Sequence, residues 1–524
     1  MFLKKNRLYK EVPILLGIST YAYLVNWYSG NMGVIPIDSF GFLDTGYSII
    51  QGHLPIRDFW IFTGLVVDYM EAAFLYLFGN NWNSHLAHSS FMNIVATTSL
   101  YLFLKEYNLN LSHIVFYCLS FATLCYPLSG TPFAYIHAYI FSLIAIFNLL
   151  IAIKKKSKFL WFLFPYACLI AFLSMQTPTA YILIILFLLV IFYFFKDREF
   201  ENLNFFLLGC FSSIVFFFLF LFVTQTPIIN FIYQYILFPL TIGEGRITSK
   251  EIAYISLIDQ LNFKRLIGEF KFIHIFLAPL IFFSFKTIKS KDRDLNFLNI
   301  TIIFSVLAFF FNQLITANQI YIFSLIPILA SVLHINLNNL NIKPKSFYII
   351  IFVVLFATVK FHFRFNIDRK FHDLENIDKE QAIKANNINK NFKNLRWISK
   401  FDDPKNELLV IKKAIEKINN DNREKTLITH YQFMSTILDK PLNILNRWYL
   451  WDNNTHPTEN HKYFEFYKSL VNRNMKENKI KIIYLLGQEN EIKFDNVKNY
   501  FTDTCFESTT IIPNRFSSHK LVKC

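Results

Sequence analysis

Apolar runs of about 17–25 residues, the length that crosses the hydrocarbon core of a bilayer as a helix, recur along this chain as far as residue 363. No other feature limits its fold as strongly, because in hydrocarbon each backbone polar group must be satisfied within a helix or a closed barrel. Segments near 12–28, 86–104, 112–128, 133–153, 159–175, 178–195, 204–224, 271–285, 295–311, 318–335 and 346–363 read as spans. Beyond 363 the composition turns to Asn, Lys, Asp and Glu. The expected architecture is an all-α polytopic membrane domain of about 11 transmembrane helices (1–363). It has interfacial helices in its first outer loop (29–85) and a second large outer loop (225–270). A small soluble α/β domain (364–524) follows on the outer side. The first ten residues resemble a signal peptide, but no small-residue cleavage site follows, so a retained first helix is expected.

Segment 61–78 is also apolar and decides the topology. If it does not span, the inner loops carry seventeen Lys and Arg, including Lys4, Lys5, Lys154, Lys155, Lys156, Lys286 and Lys289, against six in the outer loops before the tail. If it spans, the Lys154–Lys158 cluster moves outside, against the positive-inside rule. Segment 61–78 is therefore expected to lie in the outer interface, with Asp68 and Glu71 on one helix face. The net charge of +15 then reflects topology rather than nucleic-acid binding. Cys118, Cys125, Cys168 and Cys210 fall in apolar spans and read as packing residues. Cys505 and Cys524 suit a disulfide if the tail meets an oxidising compartment.

In the tail, 366–422 reads as a charged, largely helical stretch that includes IKKAIEKINND (411–421). KTLITHY (425–431) and KIKIIYLLG (479–487) read as strands, the second apolar enough to be central. Helices are expected over 463–475 and 494–501. No glycine-rich phosphate loop follows either strand. His-x-x-x-His and Cys-x-x-Cys patterns are lacking, so no metal ligand set and no cofactor is identified. A nucleotide-sugar mechanism has no support in the motifs.

The first outer loop, DSFGFLDTGYSIIQGHLPIRDFWIFTGLVVDYMEAAFLYLFG (38–79), holds five acids: Asp38, Asp44, Asp58, Asp68 and Glu71. Carboxylates at a membrane boundary are costly to desolvate and point to a functional site. The order of its pieces resembles lipid-linked-sugar glycosyltransferases of the GT-C class, in particular bacterial family-39-like enzymes. Protein O-mannosyltransferases and aminoarabinose-to-lipid-A transferases are more distant members. Asp38 stands where the family has its acid. Ile49-Ile50-Gln51-Gly52 matches its turn, Pro55-Ile56-Arg57-Asp58-Phe59 its strand-like piece, and Leu77-Phe78-Gly79 the end of its interfacial helix. Asn318–Leu333 resembles a later family span, with Tyr321 and Pro327 in place. Departures are Ser39 for the common Glu, Leu65 for the Pro after Gly64, Gln319 or Ile320 for a basic residue, and the lack of an acid in PLSGTPFAYIHAY.

The resemblance implies an inverting glycosyltransferase of the bacterial cytoplasmic (inner) membrane, with its site on the periplasmic side. It would move a hexose or pentose from a polyprenyl-phosphate carrier to a lipid, glycan or protein acceptor. The alternative is a transporter or flippase of lipid-linked glycans. As general base, Asp38 is the first choice, against a reading as helix cap. Asp44 either orients the acceptor or is solvated. Arg246 and Lys250 in IGEGRITSK either bind the donor phosphate or anchor to lipid headgroups. Asp58 either meets substrate or fixes its turn. His137 either binds sugar or phosphate or is packed in the interface, and Gln176 and Tyr321 are further substrate-binding candidates. Asp68 and Glu71 form either a second acidic site or the polar face of an interfacial helix.

Overall fold

A computed structural model describes residues 2–126, 130–197, 200–248, 262–290, 292–316, 322–340, 345–501 and 504–524. Each of the eleven apolar segments overlaps a helix. The chain opens with α1 (Phe2–Gly30), α2 (Pro36–Ser39), α3 (Leu43–Ile50), α4 (Leu65–Phe78) and α5 (Trp82–Lys105). It continues through α6 (Leu111–Cys125), α7 (Ala134–Lys155), α8 (Lys158–Ser174), α9 (Gln176–Asp197) and α10 (Phe200–Val223), then α11 (Ile228–Phe231), a π-helical turn and α12 (Phe238–Thr248). Helices Lys271–Ser290, Arg293–Thr316, Leu325–Asn339 and Lys345–Phe361 complete the apolar part. Among the described residues, six helices are long and apolar enough to cross a membrane by length and composition: α7, α9, α10, Lys271–Ile288, Arg293–Thr316 and the stretch Phe347–His372. Helices α6, α8 and Leu325–Asn339 are apolar but shorter. The chain is built as a multi-pass membrane protein.

Segment 61–78 contributes only α4, 14 residues long. At 1.5 Å per residue this is about 21 Å. Its orientation differs from that of an ordinary surface helix. Asp68 and Glu71 are fully buried, whereas Tyr76, Leu77 and Phe78 are exposed. The expected solvated polar face is thus a correction: the acids of α4 turn into the protein and its apolar end turns out.

At the end of the bundle away from α4, Lys105 pairs with Glu11 at 2.5 Å and Lys155 with Glu106 at 2.6 Å. These pairs gather the basic loops after α5 and α7 beside the start of α1.

The tail folds on the first loop. Strands β1 (Ile383–Lys384) and β2 (Arg396–Trp397) form a small antiparallel ribbon. Strands β3 (Lys425–Thr429), β4 (Ile482–Leu486), β5 (Cys505–Ile512) and β6 (Phe516–Val522) form one sheet in the order β3-β4-β6-β5. β3 and β4 are parallel, Lys425 opposite Ile482, while β6 runs antiparallel to both of its neighbours. β4 is buried along its whole length, as the apolar run IIYLL requires of a central strand. Cys505 and Cys524 are disulfide-bonded, their Cα atoms 5.1 Å apart.

Two sequence expectations in the tail are corrected. Only Pro404–Asn419 of the stretch 366–422 is α-helical, started by Asp403, whose side chain accepts from Lys405 N and Asn406 N. Residues 494–501 form two short 3₁₀ turns.

One apolar core joins loop and tail. It holds Val34, Phe40, Leu43, Tyr47 and Trp82 together with Trp397, Leu427, Phe433 and Tyr484. The ring of Phe40 stacks on Trp397 with centroids 5.5 Å apart and meets Phe433 edge-on at 4.7 Å.

Candidate active site

The five acids of the first loop fare differently. Asp58 is held by Arg57 at 2.7 Å and accepts from Leu54 N at 2.7 Å, closing its own turn. Asp44, fully buried, accepts from Thr436 N (2.9 Å), Thr436 Oγ1 (2.8 Å) and Ser435 N (3.2 Å). It thus caps the short helix Met434–Leu438 of the tail, and burial pushes its carboxyl up to about 6 against those bonds. Asp68 accepts from Thr45 Oγ1 at 2.6 Å and forms a buried ion pair with Arg447 of the tail. Arg447 also donates to Thr63 O and lies over the Phe42 ring, 4.3 Å from its centroid.

Glu71 anchors a buried chain of polar groups. Its two oxygens meet His85 Nδ1 and His88 Nδ1, each at 2.8 Å. His85 Nε2 reaches Ser39 O at 2.9 Å. His88 Nε2 lies 3.0 Å from His137 Nε2, and His137 Nδ1 lies 3.1 Å from Tyr126 Oη. Burial alone would raise the Glu71 carboxyl. The charge and hydrogen bonds of His85, with those of His88, outweigh it and hold the group down to about 2.

Asp38 is the exception. It sits in α2, a single turn started by Pro36 at the position where a missing N–H costs nothing. Ser39 Oγ accepts from Ile35 N at 2.9 Å and closes that turn. Asp38 caps nothing, and among the described residues its carboxylate makes no hydrogen bond or ion pair. It is half-buried, and burial pushes its carboxyl up to about 6, with the charge of Lys400 pulling the other way.

Asp38 lines a cavity of about 130 Å³ together with Arg246, Tyr135, Trp448, Asn454 and Thr455. Four parts of the chain supply these walls: the first loop, the start of α7, α12 and the tail loop 448–455. Hydrogen bonds hold two of these side chains in place. Trp448 Nε1 donates to Ile37 O at 2.9 Å, beside Asp38. Tyr135 Oη accepts from Asn312 and Gln313 at 3.1 and 2.8 Å. Gly64 has φ +77°, and a Cβ there would lie 2.7 Å from Phe42 and 2.8 Å from Arg447, so only glycine lets the loop pass between them. Asn454 is buried, its Nδ2 donates to Asp452 at 2.7 Å, and its Oδ1 has no partner among the described residues. The cavity is thus lined by a carboxylate without a partner among the described residues, a guanidinium and the amide side chain of Asn454.

Of the sequence candidates, Asp38 and Arg246 share this cavity, while Asp44, Asp58, His137 and Gln176 do not line it. Gln176 Nε2 bridges Phe62 O and Tyr235 O at 2.8 and 2.7 Å. Lys250 and Tyr321 lie outside the described residues. Sequence reasoning missed Trp448, Asn454 and Thr455. The only signal for them was the aromatic density of RWYLWDNNT (447–455) in an otherwise polar tail. It also missed the Glu71 chain, whose signal was two acids three apart in α4 followed by His85 and His88 three apart in α5.

No protein-family model and no curated protein sequence matches the chain. Among solved structures, it is similar to the crystal structure of the Archaeoglobus fulgidus oligosaccharyltransferase complexed with Zn and sulfate, at 10% sequence identity and a TM-score of 0.43, over 90% of this chain and 68% of that one.

Proposed function

We propose that this protein is a membrane glycosyltransferase of the GT-C type, with about eleven spans. It takes a sugar from a polyprenyl-phosphate carrier and passes it, with inversion, to an acceptor hydroxyl on the outer face of a bacterial cytoplasmic membrane. The observation that carries the reading is Asp38, the one carboxylate of the first loop without a partner among the described residues, in a cavity it shares with Arg246.

The chemistry follows from those groups. The acceptor O–H gives its proton to the Asp38 carboxylate as its oxygen bonds to the anomeric carbon. The bond from that carbon to the phosphate oxygen breaks, and its electron pair leaves with the carrier as polyprenyl phosphate. Charge grows on the phosphate as this happens. The Arg246 guanidinium, which carries a fixed charge and lines the same cavity, is proposed to meet it, with Lys250 as its companion. The Asn454 side chain, which lines the same cavity, is proposed to contact a sugar hydroxyl. Asp44 is assigned to holding the tail over the site rather than to chemistry, on the strength of its three bonds to Ser435 and Thr436.

The test uses the purified full chain in lipid nanodiscs with polyprenyl-phosphate hexoses and pentoses. Release of polyprenyl phosphate in step with glycosylation of an acceptor supports the assignment. Movement of the intact donor between leaflets of a proteoliposome, with no cleavage, would establish a flippase instead.

A further inference from the structure

A second cavity, of about 640 Å³, lies between α1, α4 and α5 and shares no lining residue with the Asp38 cavity. Its volume is in the range of sites that bury a small ligand, about 300–1,000 Å³. Its walls are amphipathic along one direction. Tyr23 and Trp27 of α1, Phe74 and Phe78 of α4 and Phe91 of α5 make the apolar part. Asn81, Asn83 and Ser84 at the start of α5, with Lys390, Asn391 and Lys393 of the tail, make the polar rim.

The rim is built rather than incidental. Asn394 Nδ2 donates to Asn83 Oδ1 at 3.1 Å, tying the tail turn to the head of α5. Phe392, between the two lysines, is fully buried against Phe40 and Trp82, with centroids 6.1 and 6.4 Å away. The backbone that carries Lys390 and Lys393 is therefore pinned over the groove. Both lysines are exposed, and neither has an ion-pair partner among the described residues.

We infer that this groove binds the spent carrier, a single-chain lipid phosphate monoester, with its chain among the aromatic rings and its phosphate at Lys390 and Lys393. Charge selects the monoester. A sugar-bearing carrier phosphate is a diester with one negative charge. Its product after transfer is a monoester whose second ionisation falls near pH 6, so it carries close to two charges at neutral pH. Two lysines without counter-ions match the product better than the donor and give the carrier somewhere to go once its sugar has left. The single-chain identity rests on the proposed transfer reaction, whereas binding of the lipid phosphate is independent of it.

The experiment measures binding of fluorescent polyprenyl phosphate, polyprenyl phosphosugar, uncharged polyprenol and the two-chain monoester phosphatidic acid to the full chain in phosphatidylcholine nanodiscs. The expected result is tightest binding of polyprenyl phosphate, at least tenfold above the phosphosugar and the polyprenol. A Lys390→Glu/Lys393→Glu variant should lose at least tenfold, and Asp38→Asn should bind as wild type. In turnover, added polyprenyl phosphate should inhibit the double variant less than wild type. Equal binding by wild type and double variant overturns the proposal, as does equal binding of polyprenol. Phosphatidic acid binding as tightly as polyprenyl phosphate overturns the single-chain assignment. If the carrier binds as described but no sugar is ever transferred, the groove stands and the glycosyltransferase reading falls.

Discussion

At the residue scale, the case for Asp38 is one of elimination among neighbours in one loop. Asp44, Asp58, Asp68 and Glu71 each give their oxygens to a cap, a turn, an arginine or two histidines. Asp38 keeps its own. An unsatisfied, partly desolvated carboxylate lowers stability, which supports the proposal that Asp38 is reserved for a ligand. The sign of its pH effect follows. With the carboxyl raised to about 6, the folded state binds the proton more tightly than the unfolded chain does. Asp38 therefore contributes stability below about pH 4 that is lost as pH rises through 6. Asp38→Asn at pH 7.5 is expected to match or exceed the wild-type Tm in thermal unfolding. Because the base must be ionised, kcat/KM should fall about tenfold per pH unit below 6, read from initial rates between pH 5 and 8. Asp44→Ala should behave in the opposite way. It removes a buried cap, costs about 1–2 kcal/mol, lowers Tm and leaves the pH profile of the remaining activity unchanged.

At the scale of elements, α4 is the hinge of the account. Its apolar residues were legible in the sequence. Which face turned inward was not. Asp68 and Glu71 looked like the solvated side of a surface helix because their partners lie elsewhere. Arg447 is 379 positions away, and the histidines follow in the next helix. Spacing within one helix carries no information about a guanidinium supplied by a distant loop. Removing one member of the buried Asp68–Arg447 pair leaves the other charged and unpaired. Arg447→Ala is therefore expected to cost about 3–5 kcal/mol, and Asp68→Leu/Arg447→Met to recover much of the loss. Thermal unfolding and protease release of the tail report both. Gly64→Ala, forced into a left-handed conformation against Phe42 and Arg447, should cost at least about 1–2 kcal/mol by the same assay.

At the scale of the whole molecule, the apolar part was readable because each span declares itself locally, one helix at a time. β3 and β4 were readable for the same reason, through short apolar runs. The union of tail and first loop was not: the contacts that make it, Phe40 with Trp397 and Asp44 with Thr436, join residues that sequence patterns cannot relate. Loop and tail share one core, which supports the proposal that they lie on one side of the membrane and the Lys154–Lys156 turn on the other. A membrane-impermeant maleimide on whole cells should label Lys412→Cys in the tail and not Lys156→Cys. The reverse pattern would overturn the orientation.

The rate of polyprenyl phosphate release by Asp38→Asn in nanodiscs, beside wild type, tests whether the Asp38 carboxylate drives the proposed sugar transfer. The predicted result is a loss of about 10²–10⁴-fold in kcat in a protein that is folded, inserted and at least as heat-stable as wild type. A variant that turns over at the wild-type rate would contradict it.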